Sequence, residues 1–318
     1  MSVPRTTWGG EALTWQPVDG VLEVCLHRDP LNEIGLLVLR ELEMLAQVVR
    51  SQPEGIHAIL FHSAVERGFS AGADLRELQA GLHSVSNGGG AKAWVDQARG
   101  LFVSPGQVRR ALQSAIRIAG TERIAGTERI DLRRAAKVAG VRAFLDRIHA
   151  VFDTFDTASV PTIAAVHGVC FGGGFELALT CDLIVADKTA RFAFPELRLG
   201  LIPGFGGIPR LERDLGNAIV RELLLSGRSL GAQRAHEVGL VGQLAGKGEA
   251  LNIARRLAKQ IGRFDRKTAT VAKAFLKPFP RAELEREKDL FCRLLTSDAV
   301  ELALDKFVSA KDAMPYLP

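Results

Sequence analysis

Long apolar runs are missing from this 318-residue chain. With no stretch of about 18 such residues, no membrane-spanning helix is predicted. Met1 to Gly20 is mixed and polar, with Pro4, Arg5, Glu11 and Asp19, and holds no apolar core of a secretory signal. Cysteine is scarce: Cys25, Cys170, Cys181 and Cys292 form no C-x-x-C pair and have no histidine cluster nearby. That spacing excludes a zinc framework, and a disulfide framework is not expected in so long a chain. The expectation is a metal-free protein of a reducing cytoplasm, without a membrane partner.

What remains is the composition of a soluble globular protein, 47% hydrophobic and 24% charged. The length suits one large domain or two small ones with a substantial core. The net charge of +5 is unevenly placed. Gln79 to Ala150 holds 12 Lys/Arg against 5 Asp/Glu, a net of +7, while the rest of the chain stands at −2.

Val21–Leu26 and Ile56–His62 read as strands, and Leu36–Val49 between them has helical apolar spacing at Leu39, Leu42, Leu45, Val48 and Val49. Phe69–Asp74 is a small-residue turn. Pro161–Val169 is an apolar run of strand length ending near the glycines 172–174. Phe175–Cys181 has helix-like composition, Leu183–Ala186 and Arg191–Phe194 are short strands, and the chain from Glu249 onward reads as three or so helices. The class is α/β with a helical C-terminal part. Between Leu78 and Ala150 the pattern changes. Ser86–Gly90 reads as a flexible loop, and beyond it the Ala-, Arg- and Ile-rich composition predicts helix. That segment contains AGTERI twice in tandem, at 119–124 and 125–130. Two short copies do not make a solenoid, and the reading is a duplication carried on a surface helix.

Chemistry concentrates in HGVCFGGGFELALTCD, residues 167–182. A strand enters three glycines and a helix leaves, with neither G-x-G-x-x-G nor Walker spacing. Glycines let the backbone approach a ligand closely, and the helix start presents free N–H groups to an oxyanion. Tight strand–helix packing explains the same glycines. Glu176 stands in the first helical turn, where its charge also complements the helix dipole. Glu196, in Phe-Ala-Phe-Pro-Glu-Leu, has apolar neighbours that would raise its pKa. Two carboxylates facing one substrate can divide acid and base duties.

The runs SAGADLREL, HGVCFGGGFELALTCDLIVAD and ARFAFPELRLGLIPGFGGIPRL, in that order, resemble the signature blocks of the crotonase (enoyl-CoA hydratase/isomerase) family. The resemblance covers residues 18–78 and 151 to about 307. It implies a spiral of ββα turns, with a core over residues 1–250, an insertion at about 79–150 and a helical oligomerisation region at 251–318. A homotrimer or dimer of trimers is implied too. The implied substrate is an acyl-CoA thioester, coenzyme A being part of it and no cofactor being needed. Motif to motif, the oxyanion donors fall on the amides of Ala73 and Gly173. Asp74, Gly172 and Gly204 fall at the substrate, although a plain turn role fits Gly204 equally well. Hydratases of the family resemble this chain in holding glutamates at 176 and 196, which implies water addition to a 2-enoyl-CoA. The alternatives are an isomerase, and a dehydratase acting on an acyl group held by an acyl carrier protein. Which glutamate is acid and which base stays open.

The chain departs from the family in the length of the basic segment, in Phe194, where a polar residue is common, and in its tail, where Lys311 is a candidate coenzyme A contact. The basic segment has few aromatics, Trp94, Phe102 and Phe144, and no nucleic-acid motif. Nucleic acid is therefore not the expected partner, and the segment is expected to fold as a helical flap that tunes substrate choice.

Overall fold

In this computed structural model the chain is described over residues 6–84, 121–124, 127–130, 132–295 and 297–309. Two β-sheets, wound in parallel turns, position the site. The chain opens on an antiparallel meander, β1 (Trp8–Gly9), β2 (Leu13–Val18) and β3 (Val21–Leu26), which the polar reading of residues 1–20 passed over. Helix α1 (Leu36–Arg50) follows, then β4 (Ala58–Ser63), parallel to β3 with Val24 opposite Phe61. Next come β5 (Gly68–Ser70) and α2 (Leu75–Ser84).

The winding then repeats. Strands β8 (Thr162–Val166) and β9 (Val169–Phe171) precede α4 (Gly173–Ala178), and β10 (Leu183–Asp187) and β11 (Arg191–Ala193) precede a 3-10 turn, Glu196–Leu199. Strands β4, β8 and β10 lie side by side in the large sheet, and β5, β9 and β11 lie side by side in the small one. This is the spiral of ββα turns that the family resemblance implied. The apolar run 161–169 is thus two strands rather than one. The break falls at Gly168, where φ is +54° and an added Cβ would lie 2.3 Å from the Arg67 carbonyl oxygen, so a side chain is excluded.

After the 3-10 turn come α5 (Gly207–Leu215), α6 (Asn217–Ser226), β12 (Leu230–Gly231), α7 (Ala232–Glu237) and β13 (Gln243–Ala245). Four helices follow, α8 (Ala250–Ile261), α9 (Arg266–Leu276), α10 (Arg281–Leu295) and α11 (Asp298–Ser309). The large sheet is apolar on both faces, as a covered parallel sheet must be. Alternate residues serve alternate faces. Ala58, Leu60, Ile163, Ala165 and Val185 meet Ala250, Ala254 and Ala258 of α8, whose small side chains allow a close approach. Ile59, Phe61, Ala164 and Val166 face the main core with α1.

The segment expected as a helical insertion divides differently. Residues 85–120, with the Ser86–Gly90 loop, lie outside the described residues, and so does Lys311. The described part of the tandem repeat is not helical: the TERI run of each copy forms a strand, β6 (Thr121–Ile124) and β7 (Thr127–Ile130), paired antiparallel with Thr121 opposite Ile130. Thr and Ile favour strand, and the two residues that open the second copy, 125 and 126, are the length of a hairpin connection between the strands. Leu132–Asp156 is α3, a core helix rather than an appendage: Val138, Leu145, Ile148, Phe152 and Phe155 are buried, and the helix packs on α1. Gly140 lies within it without breaking it.

Candidate active site

Ala73 follows β5. A single parallel bridge ties this turn to Ile34: the Ile34 N–H donates to the Gly72 carbonyl, and the Asp74 N–H donates to the Ile34 carbonyl. The Ala73 amide is skipped by that pattern. Gly173 opens α4, where the first N–H groups have no partner within the helix. A Cβ on Gly173 would lie 3.4 Å from the Ala73 nitrogen, and one on Gly72 would lie 2.9 Å from the Gly173 nitrogen. The two amides therefore flank one small space.

Glu176, one turn into α4, is buried. Its Oε1 accepts from the Phe205 and Gly207 amides, each at 2.8 Å. Burial pushes its carboxyl up from 4.5 to about 7, against the two amides and Arg210, which favour the charge. Glu196 opens the 3-10 turn on the other side of the glycine run. Its Oε1 lies 2.7 Å from where a Cβ on Gly172 would sit, and Gly172 has φ +48°, so this position admits only glycine without strain. Its Oε2 is buried and has no hydrogen-bond partner. Burial first, and the Glu176 charge second, push the Glu196 carboxyl well above the ordinary range. Phe194 is fully buried, stacks obliquely on Phe175 with centroids 4.8 Å apart, and closes the apolar wall beside Glu176.

A cavity of about 420 Å³ opens beside this group. Its wall includes Ala73, Asp74, Leu78, Val141, Phe144 and Phe205. Of the candidate site residues named from the sequence, Ala73 and Asp74 line it. Gly172, Gly173, Glu176 and Glu196 gather next to it, and Phe205 joins the two groups. The Phe205 ring lines the cavity and lies 2.7 Å from where a Cβ on Gly173 would stand, while its N–H serves Glu176. Asp74 is engaged structurally: it pairs with Arg28 at 2.8 Å and caps α2 by accepting from the Glu77 amide. Gly204 does not line the cavity. Its carbonyl accepts from His149 Nε2 at 2.8 Å, and the Phe291 ring packs against it.

Sequence reasoning missed several groups. Glu287 on α10 is buried and accepts from the Gly206 and Ile208 amides at 2.7 and 2.9 Å. Arg210 is wholly buried and donates to Asp153, Asp156 and the Phe205 carbonyl. His149 and Phe205 were missed as well. No local signal marks Glu287, which stands among Glu283, Glu285, Arg286, Lys288 and Asp289 in a charged helix. Among the described residues no cluster could hold a metal ion, and no helix is long and apolar enough to cross a membrane.

The family model for enoyl-CoA hydratase/isomerase matches residues 130–314. The chain belongs to that family. It is 38% identical over 143 residues to "Probable enoyl-CoA hydratase echA8" of Mycobacterium tuberculosis, covering 45% of this chain and 56% of that protein. It is 40% identical over 141 residues to the carnitinyl-CoA dehydratase of Proteus mirabilis, covering 44% of this chain and 52% of that one. The chain thus spans about half the length of the curated relatives it matches. In fold it is similar to an enoyl-CoA hydratase from Bacillus halodurans, with a TM-score of 0.69 at 18% identity over 92% of this chain and 99% of that one.

Proposed function

We propose that this chain is an acyl-CoA lyase of the enoyl-CoA hydratase type, adding water reversibly and syn across the double bond of a 2-enoyl-CoA. The observation that carries this reading is a pair of buried carboxyls with different proton affinities beside two amides that share one space. The thioester oxygen would lie between the Ala73 and Gly173 N–H groups. Water attacks C3 as a carboxylate takes its proton, electron density moves onto the thioester oxygen, and a carboxylic acid delivers a proton to C2. Glu176, whose charge is favoured by two amides, is the base. Glu196, which has a buried oxygen without a donor, is the acid. Each backbone donor to a developing oxyanion supplies roughly 2.7–4 kcal/mol in other enzymes. The acyl chain would enter the largely apolar cavity beside Ala73. The reading calls on no cofactor, since coenzyme A belongs to the substrate.

The reverse reaction uses the same groups, and a relative named as a carnitinyl-CoA dehydratase favours testing it. A homotrimer or dimer of trimers belongs to this reading as well. It is supported by α9 and the residues before it, where Phe264, Val271, Phe275 and Leu276 are 62–85% exposed.

The test is a series of 2-enoyl thioesters on coenzyme A and on an acyl carrier protein, run in H₂¹⁸O. Loss of the enoyl absorbance with ¹⁸O at C3 of the coenzyme A product is expected. Double-bond migration without ¹⁸O, or no turnover on coenzyme A, overturns the reading.

A further inference from the structure

Four consecutive amides, from Phe205 to Ile208, form the turn into α5, and their N–H groups go alternately to two carboxyls. Phe205 and Gly207 donate to Glu176 Oε1. Gly206 donates to Glu287 Oε1 and Ile208 to Glu287 Oε2. Glu176 comes from α4 and Glu287 from α10, so the turn is bracketed by carboxyls from two distant parts of the chain. Other residues of α10 grip the same stretch. Leu284 meets Gly206 and Phe291 meets Gly204, at positions i−3 and i+4 from Glu287 and hence on its helical face. The turn's carbonyls are held too: Gly204 by His149, Phe205 and Gly206 by Arg210.

We propose that Glu287 is a positioning residue for Glu176: by holding the Gly206 and Ile208 amides it aims the Phe205 and Gly207 amides at the Glu176 carboxylate. The proposal rests on Glu176 being the base of the reaction above, but its geometry does not. A turn held on one edge only can rotate its amides away. Glu176 would then lose the donors that favour its charge, in a place where burial already opposes it.

Facing Glu287 are Glu176 from α4 and Arg210 from α5, and α3, which packs on α10, carries Arg142, Asp146, His149, Asp153 and Asp156. Lys288 is its neighbour on α10, bonded to Asp146 and Glu285. Arg210 is committed to Asp153 and Asp156, and burial, with nearby Lys288 and Arg210, pushes the His149 imidazole well below its ordinary value. Burial first, and Glu176 second, push the Glu287 carboxyl well above its ordinary range. Its hold on the turn is the pair of hydrogen bonds that it accepts from the Gly206 and Ile208 amides.

The experiment is Glu287→Gln in the full chain. The glutamine oxygen replaces one acceptor, while its NH₂ faces the second backbone N–H and cannot accept from it. The Glu176 titration is read by ¹³C NMR of protein labelled at the glutamate side-chain carboxyls, with its signal identified by its absence in Glu176→Gln. A rise of about half a unit or more in the Glu176 midpoint is expected, because hydrogen bonds to the charged form are weakened. The acid limb of the kcat profile should move up with it, and kcat at neutral pH should fall about twofold for a half-unit rise, with little change in KM. An unchanged midpoint in folded protein means a merely structural role, and a downward shift means charge repulsion; either overturns the proposal. Should Glu287→Gln not fold, Glu287→Asp, which draws both acceptors back by one methylene, is read by the same criteria. If the wild-type chain hydrates no enoyl thioester, the proposed reaction fails while the NMR titration still decides the role of Glu287.

Discussion

Glu176 and Glu196 share one buried site but have opposite hydrogen-bond surroundings. Glu176 Oε1 receives two backbone donors, and Glu196 keeps an oxygen that receives none. Burial raises the proton affinity of both. Two backbone amides and Arg210 oppose the rise at Glu176 and leave it at about 7, while at Glu196 the Glu176 charge adds to burial, only the residue's own backbone N–H opposes them, and the carboxyl is pushed well above its ordinary range. The difference teaches that identical side chains in one desolvated place are told apart by the backbone around them. The turn into α5 meets one, and the Gly172 backbone meets the other.

The most direct way to break this comparison is to remove each proton carrier. Glu176→Gln and Glu196→Gln should each lower hydration of a short enoyl-CoA by about 10²–10⁴-fold, the usual contribution of a general acid or base. Circular dichroism must show both variants folded, and wild-type turnover in either sinks the two-carboxyl mechanism.

A smaller effect comes from crowding Glu176 without touching its chemistry. A methyl on Gly207 would stand 2.8 Å from Glu176 Cγ and 2.8 Å from Phe194 Cε1. Gly207→Ala should therefore destabilise the fold by about 1–3 kcal/mol, as overpacking does, and should lower kcat more than it raises KM. Urea denaturation with steady-state kinetics measures both. Stability and kcat like those of the wild type would mean that Glu176 is not held at this turn.

The gentlest probe is pH. Native Glu176 binds its proton up to about 7, whereas in the unfolded chain it releases it near 4.5. Between these values the native state holds more protons, so the contribution of Glu176 to stability is full below pH 4.5 and is lost as pH rises toward 7. Thermal denaturation across this window should show a falling Tm, and Glu176→Gln should flatten the slope. An equally steep slope in that variant would assign the effect elsewhere.

Much of the fold was legible because it is written locally. The β-rich run at residues 21–26 and the 3.6-residue apolar spacing of Leu39, Leu42 and Leu45 each name their element without reference to distant chain. The AGTERI repeat misled, since helix-favouring neighbours outweighed its β-branched residues and the hairpin-length Ala-Gly between the two TERI runs. The α3 helix misled for another reason. Its arginines, among them Arg142 and Arg147, made it look like a solvated appendage, yet both side chains are largely buried in ion pairs, with Asp289 and Glu43 among the partners.

By itself the sequence determined the glycine run, the placement of Glu176 on the first turn after it, and the apolar setting of Glu196. These depend on residues only a few positions apart and on the conformations that glycine alone adopts. Tertiary structure decided that Phe205 joins the cavity to Gly173, that Asp74 is spent on Arg28 and a helix cap, and that Glu287 shares a turn with Glu176 across more than one hundred residues of chain. No local pattern encodes that last contact. One charged residue in a charged helix becomes a buried acceptor only when α10 packs against the start of α5 and water is excluded from between them.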